Sequence, residues 1–344
     1  MFVDPLPILS KGEVKSAIPY TMLKPISKAK YPAITKEEEA ISLPLQTMCG
    51  AIFDAILVHM MNTVSSPEIW QPLKHTMVEA LNRKKVPNTI KILKTTYGDT
   101  DIITLQEVSA SFIEIAKKEL GMKYFVVAPA EIDSVRDQNS VILLKKATFP
   151  NGPTTEVTKL VQEAFPTSKK IPVAVGDILS VTASDVDGIR YLISSFHGDT
   201  NGLATIPVLT AIQKAMSSNK DLSEHHFLFG LDANTYEKGV AGKKQDVLEF
   251  GKEYADFGLT SCWGDIPDPT NYTTYNARTY LQPQLNKACK SSEKEKYGDI
   301  NPKDFILFSK DDFEVSSTWK VSTFTHVVIF ISLFLFSSLL YFQI

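Results

Sequence analysis

One nearly uncharged stretch ends in two polar side chains and reads His226-Phe227-Leu228-Phe229-Gly230-Leu231-Asp232-Ala233-Asn234. A run of Phe and Leu with polar residues at both ends is typical of a strand that is buried on both faces. Asp232 and Asn234 are two residues apart, so an extended backbone points both side chains to one side. A carboxylate that accepts a proton from water, beside an amide that donates to an oxyanion, suits phosphoryl chemistry. The structural alternative is an Asx turn that closes the strand.

Three other predicted strands also carry a polar side chain at one end. Glu107 ends the segment that starts at residue 101, His197 ends the segment that starts at residue 191, and Asp304 begins the segment 304–308. Glu107 is a candidate ligand of Mg²⁺, which binds few carboxylates and keeps several waters. His197 is placed to donate a hydrogen bond to a phosphate oxygen, and Asp304 to orient an imidazole. The structural alternatives are that Glu107 caps the following helix, that His197 has a structural role, and that Asp304 is an ordinary charge at a strand edge.

The apolar pattern along the chain predicts an α/β layered domain, because runs suited to buried strands alternate with amphipathic stretches suited to helices. The predicted strands are 101–106, 123–128, 139–145, 176–182, 190–197, 226–232 and 304–308, and the predicted helices are 67–84, 109–120, 205–217 and 246–257. Ser111 and Glu114 fit a capping box for the second helix, and Thr205 precedes the amphipathic run of the third.

Composition sets broad limits on what the chain does. With 344 residues, 44% apolar and 22% charged, the chain is long enough for one large core. A net charge of −3 provides no general basic field for nucleic acid. Cys49, Cys262 and Cys289 form neither a CxxC motif nor a zinc-ligand spacing, and the first thirty residues contain no secretory apolar run. We therefore expect an intracellular monomer, cytoplasmic or nuclear.

We divide the chain into three parts on the basis of composition. Residues 1–42 are rich in Pro, Lys and Glu without a clear period and are predicted to form an irregular N-terminal arm. Residues 43–320 contain the predicted strands and helices and form the expected domain. Residues 321–344 are an apolar C-terminal tail.

Four strand-end motifs together resemble the endonuclease/exonuclease/phosphatase superfamily over roughly residues 43 to 319. The motifs are Leu105-Gln106-Glu107, Ser195-Phe196-His197, Gly230-Leu231-Asp232-Ala233-Asn234 and Asp304-Phe305-Ile306. The segment Gln138–Leu144 also resembles the family's segment after its first helix. The resemblance implies an α+β four-layer sandwich, in which two mixed sheets pack face to face with helices outside.

The same resemblance assigns a role to each of the five polar residues. Glu107 corresponds to the ligand of Mg²⁺ or Mn²⁺, and His197 to the histidine that contacts the phosphate. Asp232 and Asn234 correspond to the pair that positions the attacking water and the scissile phosphate. Asp304 corresponds to the carboxylate that holds the last catalytic histidine.

Two features of the family pattern are missing from the sequence. The strand expected at Leu45–Ile52 lacks the family's Asn, and Asn62 lies in a stretch with a helical pattern. The chain also contains no Asp-His pair near its end, because His326 follows Thr325. The role of a second metal contact and the identity of the last imidazole therefore stay open.

Three interpretations of residues 321–344 are possible. The uncharged segment Val327–Ile344 is about 27 Å long as a helix, which barely spans a membrane and would make a tail anchor. Alternatively, Thr325-His326-Val327-Val328 is a degenerate form of the family's last strand, and His326 supplies the imidazole. The third interpretation is a gene reading: Lys320-Val321-Ser322 can be encoded by a splice-donor sequence, so the tail would be translated intron and the chain truncated.

The resemblance implies a metal-dependent hydrolase that cleaves a phosphodiester or phosphomonoester by in-line attack of water. Its substrate would be a nucleic acid, an inositol phosphate or a phospholipid head group. The loop at residues 271–280 offers aromatic side chains and Arg278 for such a ligand. The alternative is a catalytically impaired protein that binds a phosphate ligand, because the final Asp-His motif is absent.

Overall fold

The computed structural model describes residues 6–10, 13–17, 24–29, 31–134, 136–167, 171–276, 299–323, 326–335 and 338–343. Contacts along the chain divide it into two units, Met1–Thr89 and Ile90–Ile344. All five predicted site residues belong to the second unit.

The first unit contains a hairpin and a long helix where an irregular arm was expected. Its elements are β1 (Leu6–Ser10), β2 (Glu13–Ala17), α1 (Lys36–Val64) and α2 (Pro67–Val78), followed by a π-helical turn at Glu79–Arg83. Thr35 caps α1 through a capping box with Glu38. The division expected after residue 42 thus falls inside α1, and the strand expected at Leu45–Ile52 is helical.

Two six-stranded sheets form the second unit. The first sheet has the order β14-β15-β16-β3-β5-β4, and the second has the order β10-β13-β9-β8-β7-β6. In chain order the strands are β3 (Ile102–Val108), β4 (Tyr124–Val127), β5 (Asn139–Lys145), β6 (Pro153–Glu156), β7 (Ile178–Ser184), β8 (Arg190–His197), β9 (His226–Asp232), β10 (Leu259–Ser261), β11 (Thr274–Asn276), β12 (Asp299–Asn301), β13 (Asp304–Ser309), β14 (Phe313–Thr323), β15 (His326–Leu335) and β16 (Ser338–Gln343). Strands β11 and β12 pair separately. Both six-stranded sheets are mixed. The first contains one parallel pair, β16 with β3, and the second contains one parallel pair, β8 with β9, whereas all other pairs are antiparallel.

Helices cover the outer faces of the sheets. They are α4 (Ala110–Leu120), α5 (Thr158–Glu163), α6 (Thr205–Ser218) and α7 (Val247–Asp256), whereas α3 (Lys85–Thr95) spans the boundary between the two units. Alternate residues of a strand enter different cores: Ile193 of β8 packs between the sheets with Ile102 of β3, whereas Leu192 packs against the helices with Leu209 of α6. This layering confirms the predicted α/β architecture, an α+β sandwich of two mixed sheets with helices.

The predicted element bounds agree best where strands are fully buried. The bounds of β5, β8 and β9 are those predicted, whereas α6 differs from prediction by one residue at one end and α7 by one residue at each end. The predicted cap of α4 was wrong, because Ser109 rather than Ser111 accepts the hydrogen bond from the Phe112 N–H. Thr205 starts α6, but its hydroxyl donates to the carbonyl of Ala233.

Gly230 sets how closely the two sheets approach each other. A Cβ at this position would lie 2.1 Å from Thr104 Oγ1, on β3 of the opposite sheet. Thr104 is itself fully buried. A glycine is therefore required in the middle of β9, at the position where the strands that carry Glu107 and Asp232 pack face to face.

We expect Gly230→Ala to destabilise the protein by about 1–3 kcal/mol, because the new methyl group overpacks the space between the sheets. Urea unfolding of the variant measures the change. Thr104→Ala removes the clashing hydroxyl, so the double variant should regain part of the lost stability. Additive losses in the double variant would show that the cost at Gly230 has another origin.

Candidate active site

Three of the predicted site residues lie side by side at one edge of the second sheet. His197 at the end of β8 is in register with Asp232 at the end of β9, and Asp232 is in register with Asp304 at the start of β13. Because β8 and β9 are parallel and β13 is antiparallel to them, two strand ends and one strand start meet at this edge. The sheet topology therefore assembles three residues that are up to 107 positions apart in the sequence.

Glu107 adds a third carboxylate beside this row, from the other sheet. The His197 Nε2 atom lies 3.7 Å from Glu107 Oε1 and 3.8 Å from Asp232 Oδ2. The imidazole thus stands between a carboxylate of the first sheet and a carboxylate of the second. Near this point Gln106 Nε2 donates to Ser195 Oγ at 3.1 Å, which ties β3 to β8 beside the site.

A backbone irregularity aims the Glu107 side chain. Glu107 has φ 55°, and the register of β3 with β5 shifts between Leu105 and Val108. A bulge with a left-handed residue costs free energy and commonly redirects a side chain at a functional site. Gln138 Nε2 donates to Glu107 Oε1 at 3.1 Å, and the Glu107 side chain is 58% exposed. The carboxylate is therefore positioned from one side and open to a ligand on the other.

Asn234 is held in a similar way just after β9. Its φ is 50°, and its backbone N–H donates to Asp232 Oδ1 at 2.9 Å. The side-chain amide donates to the carbonyl of Gly198 at 2.9 Å, directly after His197. Asn234 therefore links the ends of β8 and β9, and its amide group keeps a second N–H for another acceptor.

Asp304 is positioned by contacts to its backbone. Thr273 Oγ1 accepts hydrogen bonds from the backbone N–H groups of Lys303 and Asp304, at 2.9 and 3.0 Å. Trp263 Nε1 donates to the Asp304 carbonyl at 2.8 Å. These contacts fix the start of β13 beside Asp232. Thr273 and Trp263 were not among the predicted site residues.

Asp232 and Asp304 both have pKa values above the ordinary value of an aspartate. Burial raises the pKa of Asp232, and the charge of Glu107 raises it further, whereas His197 and Lys303 act in the opposite direction. Burial and then the neighbouring charge of Asp232 raise the pKa of Asp304. Burial is the main cause of both shifts, and the neighbouring carboxylates add a smaller repulsion that a bound cation would relieve.

Lys303 is a buried cation that the sequence did not single out. Its side chain is 6% exposed, and its charge lowers the pKa values of both Asp232 and Asp304. The Nζ atoms of Lys303 and Lys244 lie 5.4 and 4.3 Å from the centre of the Tyr236 ring. Tyr236 therefore gathers two ammonium groups close to the strand ends that carry Asp304 and Asn234.

The donor set fits a hard divalent cation that takes few protein ligands. Among the residues that the structure describes, no three His, Cys, Asp or Glu side chains are arranged to hold a metal by themselves. Mg²⁺ commonly binds one or two carboxylates and completes its octahedron with water and substrate phosphate. Glu107, which is open to solvent, matches that pattern, and Asp232 adds negative charge on the other side of His197.

His326 is the first residue of β15, and its backbone lies at the same end of the first sheet as the last residues of β3. Phe330 of β15 pairs with Gln343 of β16, which in turn pairs with Ile103 of β3. His326 precedes Phe330 by four residues, and Glu107 follows Ile103 by four. His326 and Glu107 are thus level across the sheet, two strand positions or roughly 10 Å apart. The three interpretations of residues 321–344 stay predictions.

The aromatic loop proposed at residues 271–280 is described only in part. Tyr272 OH donates to Glu237 Oε2 at 2.7 Å, and Thr273 supports Asp304 as above. Arg278 lies outside the described residues.

Comparisons with known proteins give one partial family match and a set of structural likenesses. A model of a domain of unknown function, DUF8234, matches residues 1–75, within the first unit. No curated protein matches the sequence. Similar solved structures include an endonuclease/exonuclease/phosphatase family protein from Bacteroides thetaiotaomicron, with 15% identity, a TM-score of 0.45, and coverage of 69% of this chain and 80% of that one.

Two further structures are similar to this chain to the same degree. A mannosyl-6-phosphatase from Bacteroides thetaiotaomicron has 14% identity and a TM-score of 0.49, with coverage of 73% of this chain and 91% of that one. The human Nocturnin catalytic domain, with bound sulfate, has 12% identity and a TM-score of 0.43, with coverage of 70% and 77%.

Proposed function

We propose that residues 90–344 form a phosphoesterase that depends on a divalent cation and hydrolyses a phosphate ester by attack of water. The observation that carries the proposal is the row His197–Asp232–Asp304, with Glu107 facing it from the opposite sheet. Carboxylates, an imidazole and a buried lysine around one open edge are the groups that phosphoryl transfer to water requires.

Glu107 would hold the cation, because its carboxylate is fixed by Gln138 and still exposed. Bound Mg²⁺ or Mn²⁺ would supply positive charge against the oxygens of the phosphoryl group. Gln138 orients the first ligand and is therefore a positioning residue.

Asp232 is the residue that would orient or deprotonate the attacking water. Its Oδ1 is engaged by the Asn234 N–H, which leaves Oδ2, on the side of His197, for the water. A carboxyl with a raised pKa is a stronger base than an ordinary aspartate. The free N–H of the Asn234 amide and the His197 imidazole would donate to the phosphate oxygens.

Asp304 would orient the last imidazole, and we assign that imidazole to His326. The support is the register that sets His326 level with Glu107 at the site edge of the first sheet. Asp304 contributes from the second sheet, where Thr273 and Trp263 hold its backbone.

The substrate class follows from the cations at the edge of the site. Lys303 and Lys244, gathered around Tyr236, would attract a phosphorylated ligand, and the aromatic ring offers a surface for a base or a sugar. The net charge of −3 favours a small phosphate ester, such as an inositol phosphate or a phospholipid head group, over a long nucleic acid.

The proposal is tested with a chromogenic phosphodiester and Mg²⁺ in excess. We expect hydrolysis that EDTA abolishes and that Glu107→Ala reduces at least tenfold, because the variant loses the carboxylate ligand. The matched control is Glu114→Ala, which removes an exposed glutamate paired with Lys117 on α4. The control should keep the activity of the unmodified protein.

A protein that binds a phosphate ligand without cleaving it is the second candidate. This candidate is favoured by the absence of the Asp-His pair from the sequence. It predicts that neither the unmodified protein nor Glu107→Ala hydrolyses the ester, and that Glu107→Ala weakens Mg²⁺-dependent binding of the ligand. His326→Ala separates the interpretations of the tail. A loss of activity in this variant would show that His326 belongs to the active protein, which contradicts the interpretation of the tail as translated intron. A panel of abasic DNA, poly(A), inositol phosphate and sphingomyelin then identifies the substrate class.

A further inference from the structure

The first unit contains a helix that is long, apolar and uncovered. Helix α1 has 29 residues, with an 18-residue stretch of mean hydropathy 1.6 of which 6% is buried. Among the helices that the structure describes, it alone is long and apolar enough to cross a membrane. Its large exposed side chains are Ile41, Leu45, Met48, Ile52, Phe53, Ile56, Leu57, Val58, Met60, Met61 and Val64.

The exposed apolar side chains point in all directions around the helix axis. Neighbours in sequence are about 100° apart on a helix, so the pairs Ile52–Phe53, Leu57–Val58 and Met60–Met61 face different sides. A helix that docks in a protein groove needs a single apolar stripe with a polar opposite face. A helix that is apolar all round suits an environment that is apolar on every side.

The length and the charges of α1 select a lipid bilayer as that environment. At about 1.5 Å per residue, 29 residues reach about 43 Å, which exceeds a hydrocarbon core of about 30 Å. Glu37, Glu38 and Glu39 lie in the first turn, and Asp54 is the one acidic residue after them in the helix. Charges are therefore concentrated at one end, where a headgroup region would receive them.

Helix α2 has the pattern of a segment that lies at a membrane surface. Ile69, Leu73 and Met77 are exposed at four-residue intervals and form one apolar stripe. On another face, the Trp70 Nε1 donates to Asn62 Oδ1 of α1 at 2.9 Å, which joins the two helices. The first unit thus combines an all-round apolar helix with a one-sided apolar helix.

We propose that α1 spans a lipid bilayer and anchors the chain to a membrane. The residues before Lys36 and those after Val64 then emerge on opposite faces. This assignment places the membrane segment near the N-terminus instead of in residues 321–344. It does not depend on the proposed phosphoesterase activity.

A cysteine within α1 provides the test. Cys49 is free and exposed, whereas Cys262 is buried. In full-length protein with Cys289→Ser, made by cell-free synthesis with phosphatidylcholine vesicles, we expect Cys49 to be protected from a membrane-impermeant maleimide. Phe53→Asp should restore labelling to the level without vesicles, and Asp54→Leu should increase protection. Glu37→Gln, outside the apolar stretch, is the matched control and should leave protection unchanged.

Three results would overturn the proposal. Cys49 that stays fully reactive with vesicles would exclude insertion. Protection without vesicles, in a protein that sediments as a dimer, would assign the helix to contact with a second copy. In intact vesicles without detergent, trypsin could cleave both at Lys24 and Lys28 and after Val64. Such cleavage on both sides of α1 would show that the helix lies on the membrane and does not cross it.

Discussion

Asp232→Asn is expected to lower the rate of phosphodiester hydrolysis by about 10²–10⁴-fold, because the attacking water loses its carboxylate base. The asparagine keeps an oxygen in place of Oδ1, so the hydrogen bond from the Asn234 N–H survives and the strand end should keep its shape. The loss should therefore lie mainly in kcat, with little change in KM. Steady-state kinetics at saturating Mg²⁺ measure both parameters.

Asp185→Asn is a matched control for this variant. Asp185 is buried, and its Oδ1 accepts backbone hydrogen bonds from Asp187 and Ile189 at 2.9 Å each, as Asp232 Oδ1 accepts one from Asn234. It lies in the hairpin between β7 and β8, at the opposite end of β8 from His197. The control should retain activity within about twofold, since it touches none of the site residues. Asp232→Asn with similar activity to the control would contradict the assignment of this edge as the active site.

The site was predictable wherever a single strand carries both the apolar run and its polar end. In β8 and β9 the residues between the polar ends are buried on both faces, so the sequence there is uncharged and mostly apolar, and its limits mark the strand. His197, Asp232 and Asp304 could each be located in this way. That they form one row depends on the register of three strands, which the resemblance implied and no single strand shows.

Features that depend on backbone conformation or on distant contacts were not predictable. Nothing in Leu105-Gln106-Glu107 reveals the bulge and the positive φ that turn Glu107 toward His197. Thr273 and Lys303 acquire their roles only because the chain before β13 packs against Asp232 and Tyr236. Those contacts join residues that are far apart in sequence, so local patterns carry no signal of them.

The start of the first unit was misread, because residues 1–42 have no clear period and were expected to be irregular, whereas α1 begins at Lys36. Residues 45–52 were expected to form a strand only because the family pattern has one there, yet they lie in α1, where apolar residues are exposed on several sides. Period-based prediction assumes one buried face and one solvated face. A helix that is apolar all round violates that assumption.

Asp304→Asn is expected to reduce hydrolysis by about 100-fold and yet stabilise the cation-free protein at high pH. Burial and the charge of Asp232 raise the pKa of Asp304 in the folded state above its value in the unfolded chain. The folded protein therefore binds a proton that the unfolded chain has already released, and stability is lost as pH rises toward the folded pKa. Asparagine does not ionise, so the variant avoids this loss.

Urea unfolding in EDTA at several pH values tests the stability half of this prediction. Near pH 3 the two proteins should have similar free energies of unfolding, because Asp304 is then largely protonated in both states. Near pH 8 the variant should be more stable, by on the order of 1–2 kcal/mol. An Asp304→Asn protein that is less stable than the unmodified protein at pH 8 would mean that the folded state favours the ionised carboxylate. In that case Asp304 would act as a structural ion-pair partner of Lys303. A carboxylate that is retained for function although its charge destabilises the fold should instead give a more stable protein when that charge is removed.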